Sequence, residues 1–246
     1  MNLSIVIPAY NEEKYIVACL ESIVQNGNEV AEIIVVDNNS TDATATVAAR
    51  FAGASPVDGL RPRVRVVREP IKGTSSARQR GFLESKSELV AFVDADTRMP
   101  EGWVVKVRAA FKKDPELVSI SGPYVYDELS PLTNFLFKML WIWPSVPVYW
   151  STGYMIWGGN FALRREALAA AGGFNTGIVF YGDEADLGRR LSKVGKVRFS
   201  TSLIMYSSPR RFLKEGIFAT CTRYGVNMFS QIFLRKTINH GYTEVR

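Results

Sequence analysis

The chain has 246 residues, 47% hydrophobic and 22% charged, a globular balance that argues against a disordered tail or a coiled coil. Thirty Lys and Arg against twenty-four Asp and Glu leave +6, which suits a phosphorylated ligand, an anionic membrane surface or nucleic acid. Two cysteines without a CxxC (Cys19 and Cys221) and one histidine (His240) argue against a disulfide framework, a zinc site and a Ser-His-Asp triad, so acid–base chemistry falls to carboxylates.

The first half alternates short β-branched runs with helical periodicity. Leu3 to Pro8 reads as a buried strand, and Glu12 to Val24 as a helix with apolar Tyr15, Ile16, Cys19, Leu20 and Ile23 on one face. Ile33 to Asp37 is a second strand, followed by a turn in which Ser40 or Thr41 caps a helix reaching about Phe51. Ser55 to Pro62 reads as a loop, Val64 to Arg68 as a strand, Thr74 to Glu84 as a helix and Leu89 to Val93 as a strand. Leu117 to Val125 is expected to be one strand, with an aromatic-rich insertion over 129–157 after it. Gly159 to Leu163 reads as a strand, Arg165 to Ala171 and Asp183 to Val194 as helices, Val197 to Met205 as a strand and Phe212 to Leu234 as mainly helix. This order predicts an α/β fold with a mainly parallel central sheet and helices on both faces, built as one domain over 1–246. The N-terminal run lacks a basic n-region, and no apolar stretch reaches the roughly 18 residues of a spanning helix. The expectation is a cytoplasmic protein, with peripheral attachment to the cytoplasmic membrane face left open.

Ligands of parallel sheets bind beyond the C-terminal strand ends. Those ends read Pro8-Ala9-Tyr10-Asn11-Glu12, Asp37-Asn38-Asn39-Ser40-Thr41-Asp42 and Asp94-Ala95-Asp96. Taken singly, each is an ordinary turn or cap. Converging on one crevice, their carboxylates repel unless a cation or a hydroxyl-rich ligand sits between them. Asp94 and Asp96 flank a small residue at a strand end, and hard cations such as Mg²⁺ or Mn²⁺ take one or two carboxylates plus phosphate oxygens. No GxGxxG follows the first strand and no GxxxxGK[ST] occurs, which excludes a nicotinamide dehydrogenase and a P-loop enzyme. No Gly-rich loop with Arg follows the first strand either, so a sugar-phosphate nucleotidyltransferase does not fit, and no nucleic-acid motif is present.

These segments resemble the family 2 glycosyltransferases, inverting enzymes of the GT-A fold that use nucleotide-diphospho-sugars. The matching stretches also include Gly73-Thr74-Ser75-Ser76-Ala77-Arg78, Gly158-Gly159-Asn160-Phe161 and Gly182-Asp183-Glu184-Ala185-Asp186, so the likeness runs over about residues 1–192. The resemblance implies that Pro8, Ala9, Tyr10 and Glu12 line a nucleoside pocket, that Asp37 accepts from the base and that Gly73 lets its loop approach the nucleotide. Arg78 then either faces the diphosphate or braces Asp94. Asp94 reaches the ribose, beside Ala95, and Asp96 with Asp94 holds Mn²⁺ or Mg²⁺. It divides the chain into a nucleotide-sugar half, 1–115, and an acceptor half, 116–246. The expected reaction moves one sugar from UDP or GDP to an acceptor hydroxyl or a lipid phosphate. The alternative is a catalytically silent sugar-nucleotide-binding or scaffold protein of the same fold.

Two departures stand out. Where the family often carries a metal-binding histidine, this chain reads Tyr206-Ser207-Ser208-Pro209-Arg210-Arg211, which makes Arg210 and Arg211 candidate diphosphate contacts. The processive motif Gln-x-x-Arg-Trp is replaced by Thr220-Cys221-Thr222-Arg223-Tyr224, which favours a single transfer. For the base, the family's Gly-Glu-Asp reads Gly182-Asp183-Glu184 here. Asp183 looks like a helix cap with Asp186 three residues on, and Asp186 also sits four residues before Arg190. That leaves Glu184 as the preferred base and Asp183 as the second candidate. The insertion holds Phe135, Phe137, Trp141, Trp143, Tyr149, Trp150, Tyr154 and Trp157. It is either core packing and an acceptor platform, or an interfacial segment over 135–157 assisted by Lys138, Arg210, Arg211, Lys214, Arg235 and Lys236.

Overall fold

The computed structural model describes residues 1–26, 30–52, 62–137, 139, 142–178 and 182–234. The expected loop at Ser55–Pro62 lies almost wholly outside these residues, as do Lys138, Trp141, Arg235, Lys236 and His240. Seven strands form the main sheet: β1 (Leu3–Ala9), β2 (Glu32–Asp37), β3 (Arg63–Arg68), β4 (Leu89–Val93), β6 (Leu117–Ser121), β8 (Asn160–Arg164) and β9 (Lys196–Phe199). Their order is β3-β2-β1-β4-β8-β6-β9, parallel throughout except for β8, which runs against both β4 and β6. This is the α/β GT-A arrangement expected above, with one antiparallel strand inserted.

Strand alternation builds two cores at once. Ile5, Ile7, Ile33, Val35, Ala91 and Val93 point to one face, against α1 (Ile16–Gln25), α2 (Thr44–Ala52) and α4 (Trp103–Lys113). Val6, Ile34, Val36, Val90 and Phe92 point to the other, against α3 (Thr74–Glu84), α7 (Arg165–Ala170) and α8 (Asp183–Leu191). The strands are therefore apolar at nearly every position, the pattern of a sheet covered on both faces. α3 lies so close to β1 that a β-carbon on Gly81 would collide with Val6.

Two expected strands are each broken in two. β6 stops at Ser121, and β7 (Tyr124–Val125) joins a separate three-stranded sheet, ordered β5-β10-β7, with β5 (Thr97–Arg98) and β10 (Met205–Ser207). The break falls at Gly122-Pro123, where Pro123 has no N–H to donate and a β-carbon on Gly122 would strike the Leu203 backbone. Likewise Val197–Met205 is not one strand: a turn closed by the Leu203 N–H donating to the Ser200 carbonyl (3.1 Å) separates β9 from β10. The α2 start also differs from expectation. Ser40 and Thr41 do not cap it; Asp42 Oδ1 accepts the Thr44 N–H at 2.9 Å.

The aromatic insertion is helical, as α5 (Pro131–Phe137) and α6 (Trp143–Thr152). Phe137 packs with Tyr126 and Phe212, and Trp157 with Phe199 and Tyr124, so part of it forms small satellite cores.

Asn160 ties these pieces together. It is fully buried, accepts from Trp103 Nε1 (3.0 Å) and donates through Nδ2 to the carbonyls of Gly122 (2.9 Å), Pro123 (3.2 Å) and Leu203 (2.8 Å). Asn160→Ala leaves these groups buried and unsatisfied, so urea titration should show a loss of about 3 kcal/mol. A loss below about 1 kcal/mol would mean that water or a shift of the turn replaces the amide.

Candidate functional site

The C-terminal ends of β1, β2, β4 and β6 and the N-terminal end of β8 share one edge of the sheet, and a cavity of about 350 Å³ opens there. It is lined by Pro8, Ala9, Tyr10 and Glu12 after β1, by Asp94, Ala95 and Asp96 after β4, and by Asp183, Glu184, Arg210 and Arg211 from the second half of the chain. Of the residues expected at the site, Asp37 and Gly73 stand outside the cavity wall. Asp37 accepts the Ser40 N–H at 3.2 Å, and the Gly73 N–H donates to Asn38 Oδ1 at 2.8 Å. Asn38 lines the cavity instead, fixed by donation to the carbonyls of Glu69 and Ile71. Gly73 has φ +142°, a conformation that leaves its loop dependent on glycine.

At the centre lies Arg78, on α3 and only 2% exposed. Its Nη1 donates to Asp183 Oδ2 at 2.7 Å and to Glu184 Oε1 at 3.2 Å, while Nη2 reaches Asp94 Oδ1 at 3.4 Å. Of its two expected roles the structure contains the brace, extended to the first two acids of α8, Asp183 and Glu184. The cap reading of Asp183 is corrected: it is the first residue of α8, with Gly182 at the cap position and no side-chain cap bond. Its carboxylate is committed to Arg78 and to Ser75 Oγ (3.3 Å). Glu184 is not partnerless either. Burial, and next the neighbouring Asp183 charge, push its carboxyl up to about 8 against the pull of Arg78. Asp186 takes the structural place expected of it, pairing with Arg190 (2.8 Å) and also with Arg189 (2.7 Å).

Asp94 is likewise raised above the usual carboxylate range, chiefly by burial and partly by Asp96, with Arg78 opposing. Its Oδ2 accepts from the Tyr124 hydroxyl at 3.1 Å, and the same hydroxyl contacts the Gly158 carbonyl. Burial holds that phenol protonated, its pKa well above the ordinary value, so it remains a donor. Tyr124 was missed from sequence because the strand was carried through to Val125; ended at Ser121, it becomes another strand-end residue. Gly158 and Gly159 make this crowding feasible, since β-carbons there would run into Glu184 and Asp94 respectively.

Arg210 Nη2 pairs with Glu12 Oε1 at 2.6 Å and with Asp96 Oδ2 at 3.0 Å, and its guanidinium stacks on the Tyr15 ring at 4.5 Å. Arg211 pairs with Glu215 at 3.4 Å. Among the described residues no group of three or more His, Cys, Asp or Glu is arranged to hold a metal. What the site offers is Asp96, with Asp94 near it: hard oxygen donors of the kind Mn²⁺ or Mg²⁺ uses when substrate phosphates complete its shell. The residues fit such an ion in that limited sense.

Comparison with known proteins agrees with this architecture. The sequence pattern of glycosyl transferase family 2 matches residues 4–171, and the chain belongs to that family. The uncharacterized glycosyltransferase Rv0539 of Mycobacterium tuberculosis H37Rv is 38% identical over 117 residues, 48% of this chain and 47% of that protein. The probable glycosyltransferase YdaM of Bacillus subtilis is 26% identical over 213 residues, 83% of this chain and 50% of its own length. The chain thus spans half or less of the curated relatives it matches. Among solved structures, the mannosyltransferase PcManGT of Pyrobaculum calidifontis, in complex with GDP-Man and Mn²⁺, superposes with a TM-score of 0.72. It is 20% identical, and the match covers 95% of this chain and 64% of that one. That likeness establishes the shared fold.

The raised Glu184 carboxyl has a measurable consequence. Between its ordinary pKa near 4.5 and the folded value near 8, the native state binds the extra proton, so this group's contribution to stability falls as pH rises through that window. Denaturant titrations between about pH 5 and pH 8 should show a flatter dependence for Glu184→Gln than for wild type. Equal slopes would place Glu184 in a wetter setting than its neighbours imply.

Proposed function

We propose that this chain transfers a single sugar, with inversion, from a UDP or GDP donor to an acceptor hydroxyl or lipid phosphate. The observation that carries the reading is the meeting of Asp94, Asp183 and Glu184 around one buried arginine, Arg78, with Asp96 held by Arg210 in the same cavity. In this scheme Pro8, Ala9, Tyr10 and Glu12 receive the nucleoside, with Asp37 and Gly73 supporting the loops behind them. Asp94, held by Arg78 and Tyr124, faces the ribose. Asp96, together with Asp94, would hold Mn²⁺ or Mg²⁺, which supplies Lewis-acid stabilisation of the diphosphate when bound. Arg210 and Arg211 lie on the same side as candidate cationic contacts for the departing diphosphate.

Glu184 is the proposed base. Its 27% exposure gives it access to the cavity, whereas Asp183, at 7%, spends its carboxylate on Arg78 and Ser75. A carboxyl with a pKa near neutrality suits proton removal from a hydroxyl. The acceptor O–H proton passes to Glu184 as the oxygen bonds to the anomeric carbon, and the electron pair of the breaking C–O bond leaves on the diphosphate. Single transfer is supported by the Thr220–Tyr224 segment, whose Arg223 pairs with Glu215 at 3.0 Å. No helix among the described residues is long and apolar enough to cross a membrane.

A second element of the reading is that the insertion seats on an anionic bilayer. Leu132, Phe135, Leu136 and Met139 recur at helical spacing along α5 and just beyond it, all exposed, with Trp143 62% and Trp150 76% exposed nearby in sequence. Residues 129–157 contain no Asp or Glu. Of the basic residues expected to assist, Lys214 is exposed on α9 (Arg210–Glu215), but Arg210 and Arg211 are turned to carboxylates instead.

With a panel of radiolabelled UDP and GDP sugars, Glu184→Gln should lower kcat by about 10² or more for a hydroxyl acceptor while sparing nucleotide affinity. Full turnover in this variant removes Glu184 as base, and tight donor binding without turnover in wild type favours the silent alternative. In sedimentation with vesicles, wild type should pellet with anionic lipid, and Phe135→Ser/Trp143→Ser should lose most of that binding. Equal recovery of both proteins in the supernatant defeats the bilayer reading.

A further inference from the structure

Arg210 stands where a cation is needed most. It joins three parts of the chain remote in sequence: Glu12 after β1, Asp96 after β4, and its own helix α9. It is 13% exposed, and stacking on Tyr15 restricts its guanidinium plane. One nitrogen, Nη2, serves both carboxylates, while Nη1 is buried and makes no hydrogen bond among the described residues. A buried guanidinium donor without an acceptor is uncommon, because the desolvated N–H costs free energy that a bond would offset. The atom gains an acceptor once the side chain turns toward the cavity that Arg210 lines and a ligand there presents an oxygen.

Resting on the donor-site reading above, we propose that Arg210 is the resident counter-cation of that site. In the absence of donor it neutralises Asp96 and Glu12 and so competes with a divalent ion for Asp96; with donor present it offers Nη1 to a diphosphate oxygen. The physical basis is the 3.0 Å pairing itself. A divalent ion sits about 2.1 Å from a carboxylate oxygen. An ion on Asp96 therefore meets like charge from the guanidinium at close range, where repulsion is strong. The apparent affinity of Asp96 for metal is then reduced to the fraction of time the guanidinium is elsewhere. Because the diphosphate gives Arg210 a new partner, nucleotide and metal binding become mutually supportive, as linkage requires.

A purely structural latch predicts something different: loss of stability on substitution, with metal affinity unmoved. The test is therefore a titration of the nucleotide-free protein with Mn²⁺ alone, following free Mn²⁺ by electron paramagnetic resonance. Arg210→Gln and Arg210→Met should bind Mn²⁺ roughly tenfold more tightly than wild type. Arg210→Lys should stay near wild type, and Lys214→Gln, which removes a charge from the exposed side of the same helix, should not change. With EDTA present, UDP and GDP should bind the Gln variant about tenfold more weakly than wild type, since the counter-cation is gone. Unchanged or weaker Mn²⁺ binding in either folded Gln or Met variant overturns the proposal. Should neither UDP nor GDP bind any of these proteins with Mn²⁺ present, the donor-site reading fails, whereas the Mn²⁺ titration still decides the competition.

Discussion

Arg78 and its three carboxylates set the terms for the rest of the site. One positive charge faces Asp183, Glu184 and Asp94, so the cluster holds more negative charge than its arginine can neutralise. A group that can take a proton relieves the excess, and Glu184, with its carboxyl raised by burial and by Asp183, is that group. Proton affinity at Glu184 is thus a consequence of the fold, arising because Arg78 of α3, Asp183 and Glu184 of α8 and Asp94 after β4 meet at one point. The same constraint explains the glycine pair 158–159, since side chains there would displace the carboxylates from their arginine.

Charge is distributed around the cavity with a consistent logic. Arg78 is buried and braces Asp94, Asp183 and Glu184; Arg210, 13% exposed, spans Glu12 and Asp96. Buried ion pairs add little net stability by themselves, because desolvation offsets attraction. What they provide here is geometry: each arginine fixes carboxylates that come from different strands and helices. The small sheet of β5, β7 and β10 reinforces this, with the Ser208 N–H donating to the Asp96 carbonyl at 3.2 Å beside the Arg210 helix.

Much of this was legible in the residues. The β-branched runs located β1 to β4, and the acids at their ends lie at the sheet edge where the cavity opens, because strand ends follow from pattern and turn chemistry alone. Partnership was not legible. Nothing local says that Asp183 turns to Arg78, 105 residues away, and a capping assignment was the natural reading of Gly182-Asp183. The kinks at Gly122-Pro123 and at Ser200–Leu203 were also hidden, since their apolar flanks look continuous, and Tyr124 was lost with the first of them. The division of aromatic residues between satellite cores and solvent depends on how α5 and α6 pack, which periodicity over so short a stretch does not settle.

The antiparallel strand β8 has a consequence for how the chain may be cut. It belongs to the second half of the sequence but lies between β4 and β6, paired along the whole of β4. A fragment ending near residue 115 therefore carries all of the first four strands yet leaves β4, Leu-Val-Ala-Phe-Val, as a bare edge. Such an edge is apolar and free of charge, the kind that recruits other chains. The two halves that the motifs suggest share one sheet, so they are not separate units of folding. Complementation by separately made halves would require β8 to thread into an edge already primed to self-associate.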